Sequence, residues 1–205
     1  VYFGSNDDKL YCLDAFTGLC LWVYTTGDAV SSSPAVAYGR VYFGSNDDKL
    51  YCLDAFTGSH VWNYTTGNDV HSSPAVADGV VFVGSDDGKL YALDQNTGAH
   101  IWNYTTGHLV MTSPAVASGR VYFGSYDNRL YCLDAATGLP IWNYATESTI
   151  GSSPAIADGM VFIGSHDCKV YAFGNIIRAE DYPTIQDAID DADPGDTIII
   201  APGTY

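Results

Sequence analysis

Cys52-Leu53-Asp54-Ala55-Phe56-Thr57-Gly58-Ser59-His60-Val61-Trp62 joins a short apolar run, an Asp-x-x-Thr-Gly turn and a tryptophan. The same arrangement returns at a spacing of 40 residues, from Cys12 to Trp22, from Ala92 to Trp102 and from Cys132 to Trp142. Reading outward from each copy adds a second shared run, Val41-Tyr42-Phe43-Gly44-Ser45 in this unit, so that copies begin at Val1, Val41, Val81, Val121 and Val161. A fixed period of this length means stacked copies of one supersecondary unit.

Turn signals cut each unit into four short runs. In the second unit these are residues 33 to 37, 40 to 45, 49 to 54 and 60 to 65, separated by Tyr38-Gly39, Asn46-Asp47-Asp48, the Ala55 to Gly58 turn and Thr66-Gly67. Each run is of strand length and rich in β-branched or aromatic residues, and each break carries Gly, Asn or Asp. A helical repeat is excluded, because Gly, Pro and β-branched residues interrupt every window in which a stripe of period 3.6 could form. Four antiparallel strands per unit follow.

The third strand sends Leu50 and Cys52 to one face and Tyr51 and Leu53 to the other, so both faces need cover. Small residues dominate the first strand and Trp62 and Tyr64 the fourth, which is the taper of sheets converging on an axis. The fold class expected is therefore all-β, a β-propeller of four-stranded blades. Trp22, Trp62, Trp102 and Trp142 share one repeat position and are read as packing between blades. Burial of each removes ~150–250 Å² from water, an upper bound of roughly 4–6 kcal/mol.

The Cys52 to Trp62 run resembles the tryptophan-docking motif of PQQ-like propeller repeats, A-x-D-x-x-T-G-x-x-x-W, and Ala92 to Trp102 matches it at every fixed position. The resemblance covers residues 1 to 174 and implies the fold. In the quinone-using members it also implies a vicinal cysteine pair, an axial tryptophan and Ca²⁺. This chain has no Cys-Cys dipeptide and its four tryptophans are all docking residues, so no cofactor residue is carried over and no cofactor is expected. Asp14, Asp54, Asp94 and Asp134 belong to the same motif and are expected to bond backbone groups of the Thr-Gly turn.

Eight basic residues against 24 acidic ones give a net charge of −16, with the acids spread through every repeat. That field repels phosphate backbones and anionic lipid, so nucleic acid and direct membrane insertion are not expected. No run of 18 apolar residues occurs. Protein or glycan partners remain. Cys12, Cys52 and Cys132 share one slot that Ala92 and Ala172 fill elsewhere. Equivalent positions on neighbouring sheets sit roughly 10 Å apart, beyond the ~7 Å limit for a disulfide, so the slot reads as one for a small buried side chain. Cys20 and Cys168 fall in expected loops.

Asp7, Asp47, Asp87, Asp127 and Asp167 recur in the turn between the second and third strands, where Asp accepts backbone N–H bonds. More informative are positions where near-identical copies differ. One reads Ser31, His71, Met111 and Gly151, another Asp28, Asn68, His108 and Ser148, and both precede the innermost strand. Either the variation is drift on exposed loops, or His71, His108 and Met111 belong to a ligand or partner site at the axial mouth. No HExxH, P-loop or dinucleotide fingerprint is present, and no catalytic or metal residue is expected.

After Gly174 the period stops. Residues 182 to 192 read as a short helix and 197 to 200 as a strand. The run from Tyr182 to Tyr205 resembles the N-terminal cap of right-handed parallel β-helix domains of the pectin-lyase-like kind, so residues 1–174 are expected to be propeller and 175–205 the start of a second domain. The chain reads as a fragment, with the first unit lacking its inner strand and the last its outer one. The expected function is a noncatalytic scaffold or binding module of a larger secreted or cell-surface protein, with the periplasm as the alternative location. A fragment of a quinoprotein oxidoreductase and an accessory region of a carbohydrate-active β-helix enzyme are the alternatives.

Overall fold

The computed structural model describes residues 1–174 and the backbone of Ile176–Arg178 and Thr197–Ile199. Five antiparallel sheets follow one another along the chain. The first holds β1 (Tyr2–Ser5), β2 (Lys9–Leu13) and β3 (Cys20–Thr25). Three four-stranded meanders come next. They are β4 (Ala35–Ala37), β5 (Arg40–Ser45), β6 (Lys49–Asp54) and β7 (His60–Thr65), then β8 (Ala75–Ala77), β9 (Val80–Ser85), β10 (Lys89–Asp94) and β11 (His100–Thr105), then β12 (Ala115–Ala117), β13 (Arg120–Ser125), β14 (Arg129–Asp134) and β15 (Pro140–Ala145). The last blade holds β16 (Ala155–Ala157), β17 (Met160–Gly164) and β18 (Val170–Phe173). These are the blades of a β-propeller. Beyond them β19 (Ile176–Arg178) pairs in parallel with β20 (Thr197–Ile199). Residues 182 to 192, where the sequence predicts a helix, lie outside the described residues.

The second, third and fourth strands fall where the turn signals put them, and the first is shorter by two residues. Pro34 has no N–H to give a ladder, and the Ser33 N–H donates to Ser73 Oγ of the next blade at 2.8 Å. The same bond runs from Ser73 to Ser113 and from Ser113 to Ser153, so a line of serines ties the inner strands together around the axis. The hairpin between β4 and β5 turns on Tyr38 (φ 52°) and Gly39 (φ 74°), the two left-handed residues that a two-residue hairpin needs to match strand twist.

Between β6 and β7 the register slips at Cys52/Leu53, which sets Trp62 directly opposite Cys52. That pairing explains the small slot, because a large side chain there would meet the indole. Cys52 and Cys132 are fully buried and Cys12 nearly so.

The core lies between blades rather than within one. Tyr42, Leu50, Cys52 and Trp62 of one sheet pack against Val81, Val83, Tyr91 and Leu93 of the next, while Phe43, Tyr51 and Leu53 on the opposite face meet Leu10 and Val30. Each tryptophan reaches forward by one repeat. Trp22 Nε1 donates to Ala55 O at 3.2 Å, Trp62 Nε1 to Gln95 O at 3.2 Å and Trp102 Nε1 to Ala135 O at 3.1 Å. The indoles lie on Gly58, Gly98 and Gly138, where an added Cβ would come within 2.6 to 2.7 Å of the ring. Trp142 packs on Phe173 with the ring centroids 5.5 Å apart and the planes tilted by 31°.

Asp54 holds the turn that receives the indole. Its Oδ1 accepts the Phe56 N–H, the Thr57 N–H and the Thr57 hydroxyl at 3.0, 2.8 and 2.9 Å. Asp14, Asp94 and Asp134 do the same in their own turns. Hydrogen bonds from the Thr backbone and hydroxyl favour the charged form and lower all four carboxyls below their ordinary range.

Candidate functional site on the axial rim

Two kinds of loop share one end of the blades. The loop from β7 to β8 runs over the β9–β10 turn of the next blade, and the Asp86 N–H donates to Asp69 O at 2.9 Å. The equivalent bonds join Asn46 to Ala29, Tyr126 to Leu109 and His166 to Thr149.

A carboxylate latch fixes each crossing. Asp87 Oδ2 accepts the Gly67 N–H at 3.0 Å, the Tyr91 hydroxyl at 2.5 Å and Lys89 Nζ at 3.2 Å. Asp47 repeats this with Gly27, Tyr51 and Lys49. Burial raises both carboxyls, and the hydrogen bonds and lysine outweigh it, so both end below the ordinary range. Asp47, Asp87, Asp127 and Asp167 therefore join neighbouring blades, since Gly27, Gly67, Gly107 and Glu147, whose N–H groups their Oδ2 atoms accept, belong to the preceding unit.

Between these anchors the loop alternates. Val70 is fully buried, while its neighbours Asp69 and His71 are only part-buried. His71 Nδ1 lies 3.0 Å from Asp86 Oδ2. One ligand atom from each of Asp69, His71 and Asp86 falls within 4.8 Å of the other two. Burial pushes the Asp86 carboxyl up, with the charges of Asp69 and Asp87 adding to that and His71 opposing it. Its Oδ1 is buried without a hydrogen-bond partner.

Beside this cluster a cleft of about 190 Å³ is lined by Asp86, Asp87, Gly88, Thr106, Gly107, His108 and Leu109. His108 is exposed, accepts the Leu109 N–H on Nδ1 at 2.9 Å and stacks on Tyr126 with centroids 6.2 Å apart. Tyr126 meets His166 edge-on at 6.3 Å. His71 and His108 thus flank one stretch of rim, whereas Met111 lies further along the same loop and only part-buried. Asp69, Asp86, Tyr126 and His166 join them from positions that the sequence reading passed over. The signal was present at the slot reading Asn6, Asn46, Asp86, Tyr126 and His166, which changes in each of the last three copies.

The family model for the beta-propeller of the beta-alanine-activating enzyme matches residues 1–173. The chain belongs to that propeller family. Among solved structures it is similar to BamB from Moraxella catarrhalis, with 26% identity, a TM-score of 0.75 and coverage of 84% of this chain and 57% of that one. It is also similar in fold to the computationally designed Ika8 protein, at 20% identity and TM-score 0.77 over 84% and 54% of the two chains. For the designed Ika4 protein the values are 20%, 0.66, 73% and 92%. The chain thus spans little more than half the length of the first two. No curated protein matches.

A PQQ-like propeller repeat is therefore established, and the fold is compatible with a scaffold or binding module. The quinone and Ca²⁺ set of the dehydrogenases does not fit these residues, because Trp62 and Trp102 are buried between blades and no two cysteines are adjacent. No helix among the described residues is long and apolar enough to cross a membrane.

Proposed function

We propose that this propeller is a noncatalytic binding module that meets a protein partner through the axial rim formed by His71, Asp86, His108, Tyr126 and His166. The observation that carries this reading is the gathering of these five side chains, from three variable slots, at one end of the blades. The latch aspartate beside them is the same in every copy, while the slots of His71 and His108 differ in each of the four crossings and the slot of Asp86, Tyr126 and His166 differs in the last three copies. Stacked rings and a shallow cleft with acidic walls suit a polypeptide carrying basic or aromatic side chains. Glycan is the second ligand class, since exposed rings such as His108 on Tyr126 also suit a sugar face.

The module belongs, in this proposal, to a larger secreted or cell-surface protein, the periplasm being the alternative location. Residues 175–205 begin a second domain of parallel β-helix type, a reading supported by the parallel pairing of β19 with β20. If the whole protein is an enzyme, its chemistry lies outside the propeller, which then serves as an accessory. The quinoprotein alternative has no cysteine pair to support it.

Site-specific photocrosslinking in the native host tests the rim. A crosslinker at position 108 should trap a partner, and His71→Ser with Tyr126→Ala should abolish the adduct. A crosslinker at Phe56, on the opposite end, should trap none. A partner captured equally from Phe56, or undiminished by the rim substitutions, overturns the assignment.

A further inference from the structure

We infer that Asp69, His71 and Asp86 form a binding site for a divalent transition metal, Zn²⁺ or a close analogue, present in one blade crossing only. The three side chains come from two blades. Asp69 and His71 flank the buried Val70 on the loop between β7 and β8, and Asp86 opens the turn between β9 and β10. Their ligand atoms already converge to within 4.8 Å. Around a tetrahedral Zn²⁺ with bonds of ~2.1 Å the ligand atoms would stand roughly 3.4 Å apart. The His71 to Asp86 pair, at 3.0 Å, needs almost no change, and Asp69 supplies the remaining movement by side-chain rotation.

Two further observations point to a cation. Asp86 Oδ1 is a buried carboxylate oxygen with no hydrogen-bond partner, as is Oδ1 of the latch residue Asp47, but only at Asp86 do a histidine and a second carboxylate stand close enough to share an ion that would relieve the cost. The sister crossings also show what the loops hold in place of such a triad. The preceding crossing has Ala29, Ser31 and Asn46, and Ser31 Oγ simply donates to Asn46 Oδ1 at 2.9 Å. The next crossing has Leu109, Met111 and Tyr126, and the last has Thr149, Gly151 and His166. Only one crossing carries ligands in all three slots, although the backbone bonds beneath them are the same in each. Packing does not select this triad, since its neighbours do without it.

One imidazole with two carboxylates suits a borderline ion such as Zn²⁺ and offers too few hard oxygens for a Ca²⁺ cage. Three protein ligands leave a coordination position for water or for a group on whatever occupies the adjoining cleft. The ion would bind whether or not the rim meets a protein.

Equilibrium dialysis of the full chain against Zn²⁺ at neutral pH, with bound metal measured by mass spectrometry, tests the site. About one Zn²⁺ per chain is expected, held at least ~100-fold more tightly than Ca²⁺. His71→Ser should weaken binding by at least ~10-fold. Asp69→Ala, His71→Ser and Asp86→Asn together should abolish it. That triple variant rebuilds the preceding crossing residue for residue, so its circular dichroism should match the parent's. His108→Ser, outside the triad, should leave binding unchanged. As a second readout, Co²⁺ should broaden or shift the imidazole resonances that disappear in His71→Ser. The inference is overturned if no saturable Zn²⁺ binding occurs up to ~1 mM, a weak limit for any protein zinc site. It is equally overturned if the folded triple variant still binds, or if Ca²⁺ binds as well as Zn²⁺.

Discussion

Replacing Gly98 with alanine should cost far more than the same change at Gly18, although both occupy the same place in the same turn. Gly98 has φ of +69° and Gly18 of +72°, so each substitution carries the left-handed penalty of ~1–2 kcal/mol. Beyond that the two sites differ. A Cβ on Gly98 would lie 2.7 Å from Cδ2 and Cε3 of Trp62, whereas one on Gly18 meets nothing within 4 Å. Forcing a methyl group against a packed ring costs a further ~1–3 kcal/mol. The expected losses are about 2–5 kcal/mol for Gly98→Ala and about 1–2 kcal/mol for Gly18→Ala. Gly79→Ala, with φ +81° and open space around it, supplies a second control inside a complete blade.

Urea denaturation followed by tryptophan fluorescence measures all three, provided the slopes stay equal so that midpoints report stability alone. A double-mutant cycle with Trp62→Leu then isolates the contact, because the clash disappears with the indole and the coupling should be ~1–3 kcal/mol. Equal losses for Gly98→Ala, Gly18→Ala and Gly79→Ala would refute the claim that each tryptophan docks on the glycine of the following blade.

In the native protein Ellman's reagent should modify Cys20 and Cys168 and spare Cys12, Cys52 and Cys132, all five reacting only on unfolding; burial raises the Cys132 thiol to about 11, and fast reaction of more than two thiols would contradict the packing. Trp62→Ala should cost about 3–5 kcal/mol by the same urea assay. Asp47 and Asp87 are held below their unfolded pKa, so the stability they give is complete above that value, near 4, and is lost as pH falls through the folded pKa. Tyr51→Phe and Tyr91→Phe remove the strongest opposing hydrogen bonds and should move acid unfolding, followed by circular dichroism, to higher pH; an unmoved midpoint would show that the latches do not hold the blades at low pH.

The regular part of the fold was legible because it is redundant. Three of four strand boundaries in each complete blade follow from Gly, Asn and Asp breaks, and the taper from Ser33 to Trp62 gives the axis. Less legible was the direction of each bond. Asp87 looks local in sequence, yet its latch donor Gly67 lies in the preceding repeat, and Trp62 belongs by sequence to one blade while it docks on Gly98 of the next. A periodic sequence cannot distinguish a contact at i from one at i plus a full period, because both partners carry the same residue type. The rim divided in the same way. His71 and His108 stood out as departures from the repeat, but Asp86 hid beside the invariant Asp87 and Asp69 beside the buried Val70.

That concealment has a physical basis which also explains where new chemistry can arise on such a molecule. Each crossing is fastened by Gly67 to Asp87, by Val70 in the core, and by Ser72, whose hydroxyl accepts the Gly84 N–H at 3.0 Å. Those anchors leave the side chains at positions 69, 71 and 86 outside the fastening, while position 68 keeps a local task in three crossings, where Asp28, Asn68 and His108 each accept the next residue's N–H. Different residues occupy these slots on the same crossing, as Ala29, Leu109 and Thr149 show for the slot of Asp69. A ligand triad can therefore be assembled in one crossing while its neighbours keep Ser31 with Asn46 or Tyr126 with His166, and the propeller supplies the fixed spacing between two loops that a three-point site requires.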